Sequence, residues 1–336
     1  MFALISNIFG YLLNFLYELL NNNFGFAIIV FSILLRIILL PITIKQQQSM
    51  KKTSKIQGQI KALQFKYKNN PEMLNKETME LYKKEKISPF SGCLSAIVQI
   101  IIIFSVFYMV SQPLTYMKKA NDNNPELKAV VEEYKNNIKE NNNSKTRYIE
   151  IATIARISED YKNINEKIKA FDNNTENSET AENVENTEAN NEENSLEQEN
   201  KEDLVKRKDL LEKLNINMDF LSLDLSKVPN ENLKDYKVYI IPLLYVISSF
   251  VSIKLNSNTT SKKKDDKDGN KDPNEVDTVA QMNKSMLYIM PIMTVSIAFI
   301  APLGLALYWF VSNVLMIGER VILKRIIDNK EDEKNA

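Results

Sequence analysis

The stretch FGFAIIVFSILLRIILLPITI, residues 24–44, carries a single charge, Arg36, near its middle. At 1.5 Å of rise per residue such a run is about 30 Å long as a helix, which matches the hydrocarbon thickness of a bilayer. It therefore reads as a transmembrane helix with a cation at mid-depth. A guanidinium does not shed its proton, and an arginine at that depth costs about 2.5 to 3.5 kcal/mol on insertion scales. That cost is offset by a partner carboxylate, by a water-filled cavity, or by a helix end near enough for the side chain to snorkel to the interface. Ser32 lies one turn from Arg36 on the same face, which favours a wet polar surface over a lipid-facing one.

Working outward, four further apolar runs have about the length of a membrane span: residues 90–112, 236–255, 286–301 and 303–323. Together with 24–44 they predict an all-α integral membrane protein with five spans. The formal net charge of the 336-residue chain is +0, but the charges are segregated. Residues 45–88 hold eleven lysines against Glu72, Glu77, Glu80 and Glu85, whereas residues 118–235 hold 27 Asp and Glu against 18 Lys and Arg. Positive flanks stay in the cytoplasm, so the first loop is expected inside and the second outside. Lys254 and Lys262, Lys263 and Lys264 mark the third connection as cytoplasmic, Pro302-Leu303-Gly304 is an uncharged external turn, and Lys324 and Arg325 put the C-terminus inside. The expected arrangement is N-outside, C-inside. A single cysteine, Cys93, excludes an internal disulfide, and the absence of histidine argues against zinc sites and His-based acid/base chemistry. No nucleophile-base pair, metal cluster or phosphate loop is visible, so neither an enzyme nor a cofactor or metal is expected.

The chain divides into five parts. Residues 1–22 form an amphipathic helix expected to lie in the outer interface. Residues 23–117 hold the first two spans and, at 45–88, a cytoplasmic helical hairpin, with Asn69-Asn70-Pro71 as its turn. Its lysines, Lys51, Lys52, Lys55, Lys61 and Lys66, suit anionic lipid headgroups or an anionic partner; a solvated loop that only fixes topology is the plainer alternative. Residues 118–215 form an external acidic insertion. Within it, residues 125–140 and 145–171 have helical composition, and the Asn/Glu tract 172–200, which lacks Lys and Arg, is expected to be disordered. Residues 216–325 hold the last three spans and a cytoplasmic loop at 256–284, and residues 326–336 a short tail.

Polar residues recur inside the spans. Ser91, Ser95 and Gln99 are spaced by four, giving a stripe on the second span that faces the one carrying Ser32 and Arg36. Ser248 and Ser252 on the third span, with Tyr308, Trp309, Ser312 and Asn313 on the fifth, complete a possible lining. Hydrogen bonding between helices accounts for most such residues taken singly. Arg36 shifts the balance, because it requires water or an anion nearby. A guanidinium sealed against a permanent internal acid, or directed into a continuous pore, would remove the reason to expect a solvated pocket.

Further residues follow a known pattern in order. They are Gly25 to Ile29, Leu35-Arg36, Leu40 to Thr43, MELYKKE at 79–85, Ser88 to Cys93, Val98-Gln99-Ile100, DFLSLDL at 219–225, Ile241-Pro242-Leu243, Ile289-Met290-Pro291, Pro302 to Leu305 and YWFVSN at 308–313. In these the chain resembles the YidC membrane-insertase family over most of its length. The resemblance implies five helices enclosing a hydrophilic groove, open to the cytoplasm and lipid and closed outside, with Arg36 as its central charge. It implies a membrane protein insertase and chaperone whose clients are nascent membrane proteins, with the Sec translocon and the ribosome as further partners and no DNA. It also requires that Arg36 pair only loosely with a client's acidic residue, since a tight buried pair would trap the client. A transporter or anion channel using the same arginine is the alternative from another class, against which the lack of visible internal symmetry argues.

Overall fold

The structure, a computed structural model, describes residues 2–85, 91–141, 148–178, 188–260 and 296–335. The chain is mostly helical. In order its helices are α1 (Phe2–Leu19), α2 (Phe24–Lys66), α3 (Pro71–Lys84), α4 (Ser91–Ser111), the single turn α5 (Pro113–Tyr116), α6 (Pro125–Asn141), α7 (Ile149–Ser178) and α8 (Glu188–Leu214). After the strands β1 (Asp219–Phe220) and β2 (Leu223–Asp224) come α9 (Ile240–Thr260) and α10 (Leu303–Asn335).

Among the described residues, four helices are long and apolar enough to cross a membrane: α1, α2 over Phe24–Thr53, α9 with its preceding turn over Tyr236–Leu255, and α10 over Leu303–Leu323. Three of these are expected spans. The second expected span is the helix α4, in which Ile97–Ser111 is a shorter apolar stretch. Of the expected span 286–301, residues 286–295 lie outside the described residues, as does most of the loop at 256–284.

Asn23 opens α2 with extended backbone, and its side-chain oxygen accepts the Phe26 N–H at 3.1 Å, satisfying one of the donors that a helix start leaves free. The helix then runs unbroken for 43 residues, past Pro41. Residues 46–68, expected as the first arm of the cytoplasmic hairpin, thus continue the helix of the first span as far as Lys66. At 43 residues α2 is about 65 Å long, roughly twice the hydrocarbon thickness, so its basic half stands outside the hydrocarbon. The turn that follows matches its sequence: Asn70 caps α3 by accepting the Met73 N–H at 3.1 Å, and Pro71 occupies the first helical position, where no donor is needed. No residue of α3 is buried.

At the opposite end, residues 217–227 tie the starts of α2 and α10 together. The Phe24 N–H donates to the Asn217 carbonyl at 3.3 Å, and those of Leu303 and Gly304 donate to Lys227 and Leu225 at 2.9 and 3.0 Å. β1 and β2 pair antiparallel through a two-residue turn, Leu221-Ser222, with φ of 49° and 64°. Left-handed backbone at both central positions matches the right-handed twist of a hairpin. Phe220 then lies directly against Gly25, where a Cβ would overlap its ring, and stacks edge-on to Phe26 at 5.2 Å. Phe24, Ile28, Leu225 and Leu303 close the core beneath.

α1 packs along α4. The Ser6 hydroxyl donates to the Ser105 carbonyl at 2.9 Å, and Gly10 lets the helix meet the Tyr116 carbonyl. Leu4, Ile8, Tyr11, Phe15 and Leu19, at helical spacing, remain exposed on its other side.

Within the tract 172–200, for which composition predicts disorder, the described residues continue α7 to Ser178 and open α8 at Glu188. Its glutamates are good helix formers, and α8 carries an apolar face ending in Leu211 and Leu214, both fully buried. Residues 179–187 lie outside the described residues. The insertion is joined to the bundle at Glu150, whose carboxylate accepts the Thr115 N–H at 3.1 Å, the Thr115 hydroxyl at 2.6 Å and the Lys135 ammonium at 3.1 Å.

Candidate functional site

Arg36 faces α10. Its Nη2 donates to the backbone carbonyl of Ser312 at 3.1 Å, and its Nη1 lies 3.7 Å from Oε2 of Glu319. Side chains on a helix tilt toward its N-terminus, so Glu319, two turns beyond Ser312, reaches back to the same guanidinium. The Arg36 and Glu319 side chains are 17% and 9% exposed. Of the three ways to offset a buried arginine, the chain thus uses the partner carboxylate. At 3.7 Å the two are too far apart for a hydrogen bond.

Other polar residues gather on the same side of α10. Tyr308 is buried one turn before Ser312. Nδ2 of Asn313 donates to the hydroxyls of Ser248 and Ser249 at 3.0 and 3.2 Å, joining α10 to α9. Nη1 of Arg320 donates to Ser252 at 3.4 Å and lies within electrostatic reach of both Arg36 and Glu319. The Trp309 ring sits 6.3 Å from that of Tyr245, tilted by 40°.

Not every predicted lining residue joins this group. Ser32 is buried and donates its hydroxyl to the Ile28 carbonyl of its own helix at 2.7 Å, which leaves it no free proton for a wet stripe. Asn313 likewise spends its amide protons between helices, as ordinary helix contacts do. Gln99 is exposed on α4, and the Ser91 and Ser95 side chains lie outside the described ones. Of the expected hairpin contacts, Lys52, Lys55, Lys61 and Lys66 are exposed and Lys51 is partly buried, and Lys66 stands 4.9 Å above the ring of Tyr67. No group of His, Cys, Asp and Glu suited to a metal occurs among the described residues.

The residues that sequence reasoning missed are Glu319 and Arg320. A signal was present, because Glu319 is the one acidic residue within the five apolar runs. Matching charges between runs, rather than seeking polar stripes within each, finds the partner of Arg36.

Two open clefts lie elsewhere. One of about 630 Å³ runs between α7 and α8 past Lys167, Phe171 and Arg207, and one of about 400 Å³ lies beside the hairpin, next to Asp224, Lys227 and Asp235.

The model of the 60Kd inner membrane protein family matches residues 15–122 and 209–331, leaving out most of the insertion and including Arg36, Ser312 and Glu319. The chain belongs to that family, the YidC family. It is a multi-pass membrane protein. Membrane protein insertase YidC of Fusobacterium nucleatum is 45% identical over 109 residues, which is 31% of this chain and 53% of the relative. That of Caldanaerobacter subterraneus is 44% identical over 108 residues, 32% of this chain and 52% of the relative, and that of Clostridium perfringens 46% over 87 residues, 25% and 37%. The chain thus spans about half the length of the first two of these curated relatives.

Proposed function

We propose that the protein is a membrane protein insertase and chaperone that helps hydrophobic segments of nascent membrane proteins enter the bilayer. The observation that carries the reading is Arg36, an intramembrane cation held only loosely within a family whose named relatives are insertases. The proposed groove is bounded by α2, α4, α9 and α10. It opens to the cytoplasm and to lipid, while residues 217–227 close it outside. A client's short polar flank enters the groove and crosses a thinner layer of hydrocarbon, while its apolar segment slides along the rim beside Gln99 and Trp309. Arg36 stabilises a charged or polar flank in passing. Release is driven by the segment's apolar surface entering lipid, worth about 25 cal/mol per Å². No bond is made or broken.

In this reading the N-terminus is outside, α1 lies in the outer interface, and its exposed apolar stripe meets lipid. The C-terminus is inside. The basic half of α2 and α3 form a cytoplasmic hairpin that contacts anionic headgroups and the ribosome, and the Sec translocon is a neighbour.

The test is reconstitution into liposomes with a small single-span client and no other protein. Wild type and Arg36→Lys are expected to insert it, and Arg36→Ala to lose insertion. Equal insertion by Arg36→Ala for every client would refute the required charge. Failure of wild type with any client would refute the insertase reading itself. Crosslinks from a nascent client to Gln99 and Trp309 are the second expectation.

A further inference from the structure

The resident acid beside Arg36 has no role in that mechanism. Glu319 sits among two guanidinium groups: Arg36, 3.7 Å from its Oε2, and Arg320, within electrostatic reach and itself held to Ser252 at 3.4 Å. Its other oxygen, Oε1, is buried and accepts no hydrogen bond. A buried carboxylate oxygen left without a donor is costly. A carboxylate serving only to stabilise the fold would be expected to draw both oxygens into close hydrogen bonds. Here one oxygen is beyond hydrogen-bonding distance of its partner, and the other is open to a donor.

We infer that Glu319 is the resident counter-ion of this intramembrane site and sets its charge specificity, competing with an acidic client flank for Arg36 and receiving a basic or amide-bearing one at Oε1. This rests on the insertase reading. The site is then an acid flanked by two bases rather than a bare cation. An aspartate on a client must displace Glu319 from Arg36 against the repulsion of a like charge. A client lysine meets the opposite situation, with a carboxylate ready to accept it. The fold retains the arginine between clients at lower cost, because the empty site has its own counter-charge, and clients of either sign are tolerated.

The experiment uses the full chain in liposomes of neutral lipid, with a single-span client bearing one Asp or one Lys at the same place in its short translocated flank. The quantity read is the ratio of Asp-client to Lys-client insertion. Glu319→Gln is expected to raise that ratio by about tenfold, as removal of one nearby charge in a partly screened site would. Glu319→Asp, which keeps the charge, is expected to hold the ratio near that of wild type. A structural role alone would lower both clients together and leave the ratio where it was. If Glu319→Gln does not accumulate as folded protein, Arg36→Lys, which is expected to keep insertion, is compared with Arg36→Lys/Glu319→Gln, and the double variant is expected to show the higher ratio. Equal ratios within whichever comparison yields folded protein overturn the inference. Failure of wild type to insert either client instead overturns the insertase reading on which it depends.

Discussion

Replacing Glu150 by alanine removes the carboxylate that fastens the insertion to the membrane bundle. The side chain is 4% exposed, and it accepts three hydrogen bonds: two from Thr115, in the turn α5 that follows α4, and one from Lys135 of α6. Hydrogen bonds to a charged group contribute about 1.5 to 3 kcal/mol each. Lys135 keeps Glu132 at 3.3 Å, so its loss adds little, and the cost falls on the two Thr115 contacts. A local destabilisation of about 3 kcal/mol follows. Read as hydrogen exchange at the Thr115 amide, that is roughly a hundredfold acceleration. Glu150→Gln, which keeps an acceptor but not the charge, is expected to fall between the two. Protease cleavage within residues 125–214 should rise in step with exchange. Unchanged exchange at Thr115 in Glu150→Ala would refute the reasoning, since a buried amide deprived of its acceptor has nothing else to hold it. A double-mutant cycle with Thr115→Val should show strong non-additivity.

Gly25→Ala is expected to destabilise the protein by about 1 to 3 kcal/mol through overlap with Phe220, and Phe220→Ala to relieve the part due to the clash, both read from thermal unfolding in detergent. Gly10→Val should push α1 off the Tyr116 carbonyl and expose Ser6, which a cysteine-labelling rate at Ser6→Cys would report. Near the hairpin, the Asp235 carboxyl is held below its ordinary value by the Lys227 ammonium and then by the Lys237 N–H. Because its folded value is lowered, the stability it contributes is present above the unfolded value near 3.8 and is lost as pH falls through the folded one. Protection of the Lys237 amide, taken relative to its intrinsic exchange rate at each pH, should therefore fall on acidification, and Asp235→Asn should abolish that dependence. Tyr134 in the insertion is shifted upward by burial and by its hydrogen bond to Asp160, so its contribution is present below pH 10.0 and lost as pH rises through the folded value. Absorbance titration of the phenol checks it, with Asp160→Asn expected to titrate earlier.

Much of this chain could be read before any coordinates, because membrane physics acts on local sequence. A run of about twenty apolar residues with no water to satisfy its backbone must be helix. That argument applies to residues 24–44, 236–255 and 303–323 without reference to one another. The Asn70-Pro71 start of α3 and the Asn23 cap of α2 are equally local, each depending on a side chain and an amide three residues away. That Arg36 needs a partner was legible for the same reason, since a cation in hydrocarbon is costly wherever the helix goes. Segment ends were harder: nothing in residues 45–46 shows whether a helix stops or continues, and α2 continues.

Tertiary structure alone settled the partners. Glu319 lies 283 residues from Arg36, and only the packing of α10 on α2 brings the two to 3.7 Å. The packing of α10 on α9 uses up Asn313 in hydrogen bonds to Ser248 and Ser249 that its sequence neighbours do not foretell, and that of α7 on α5 joins Glu150 to Thr115. Whether a buried polar group is spent or free depends on what stands opposite it, and helical periodicity describes one face at a time. The sequence could state that the arginine needs an anion or water; the fold supplied the anion, at 3.7 Å.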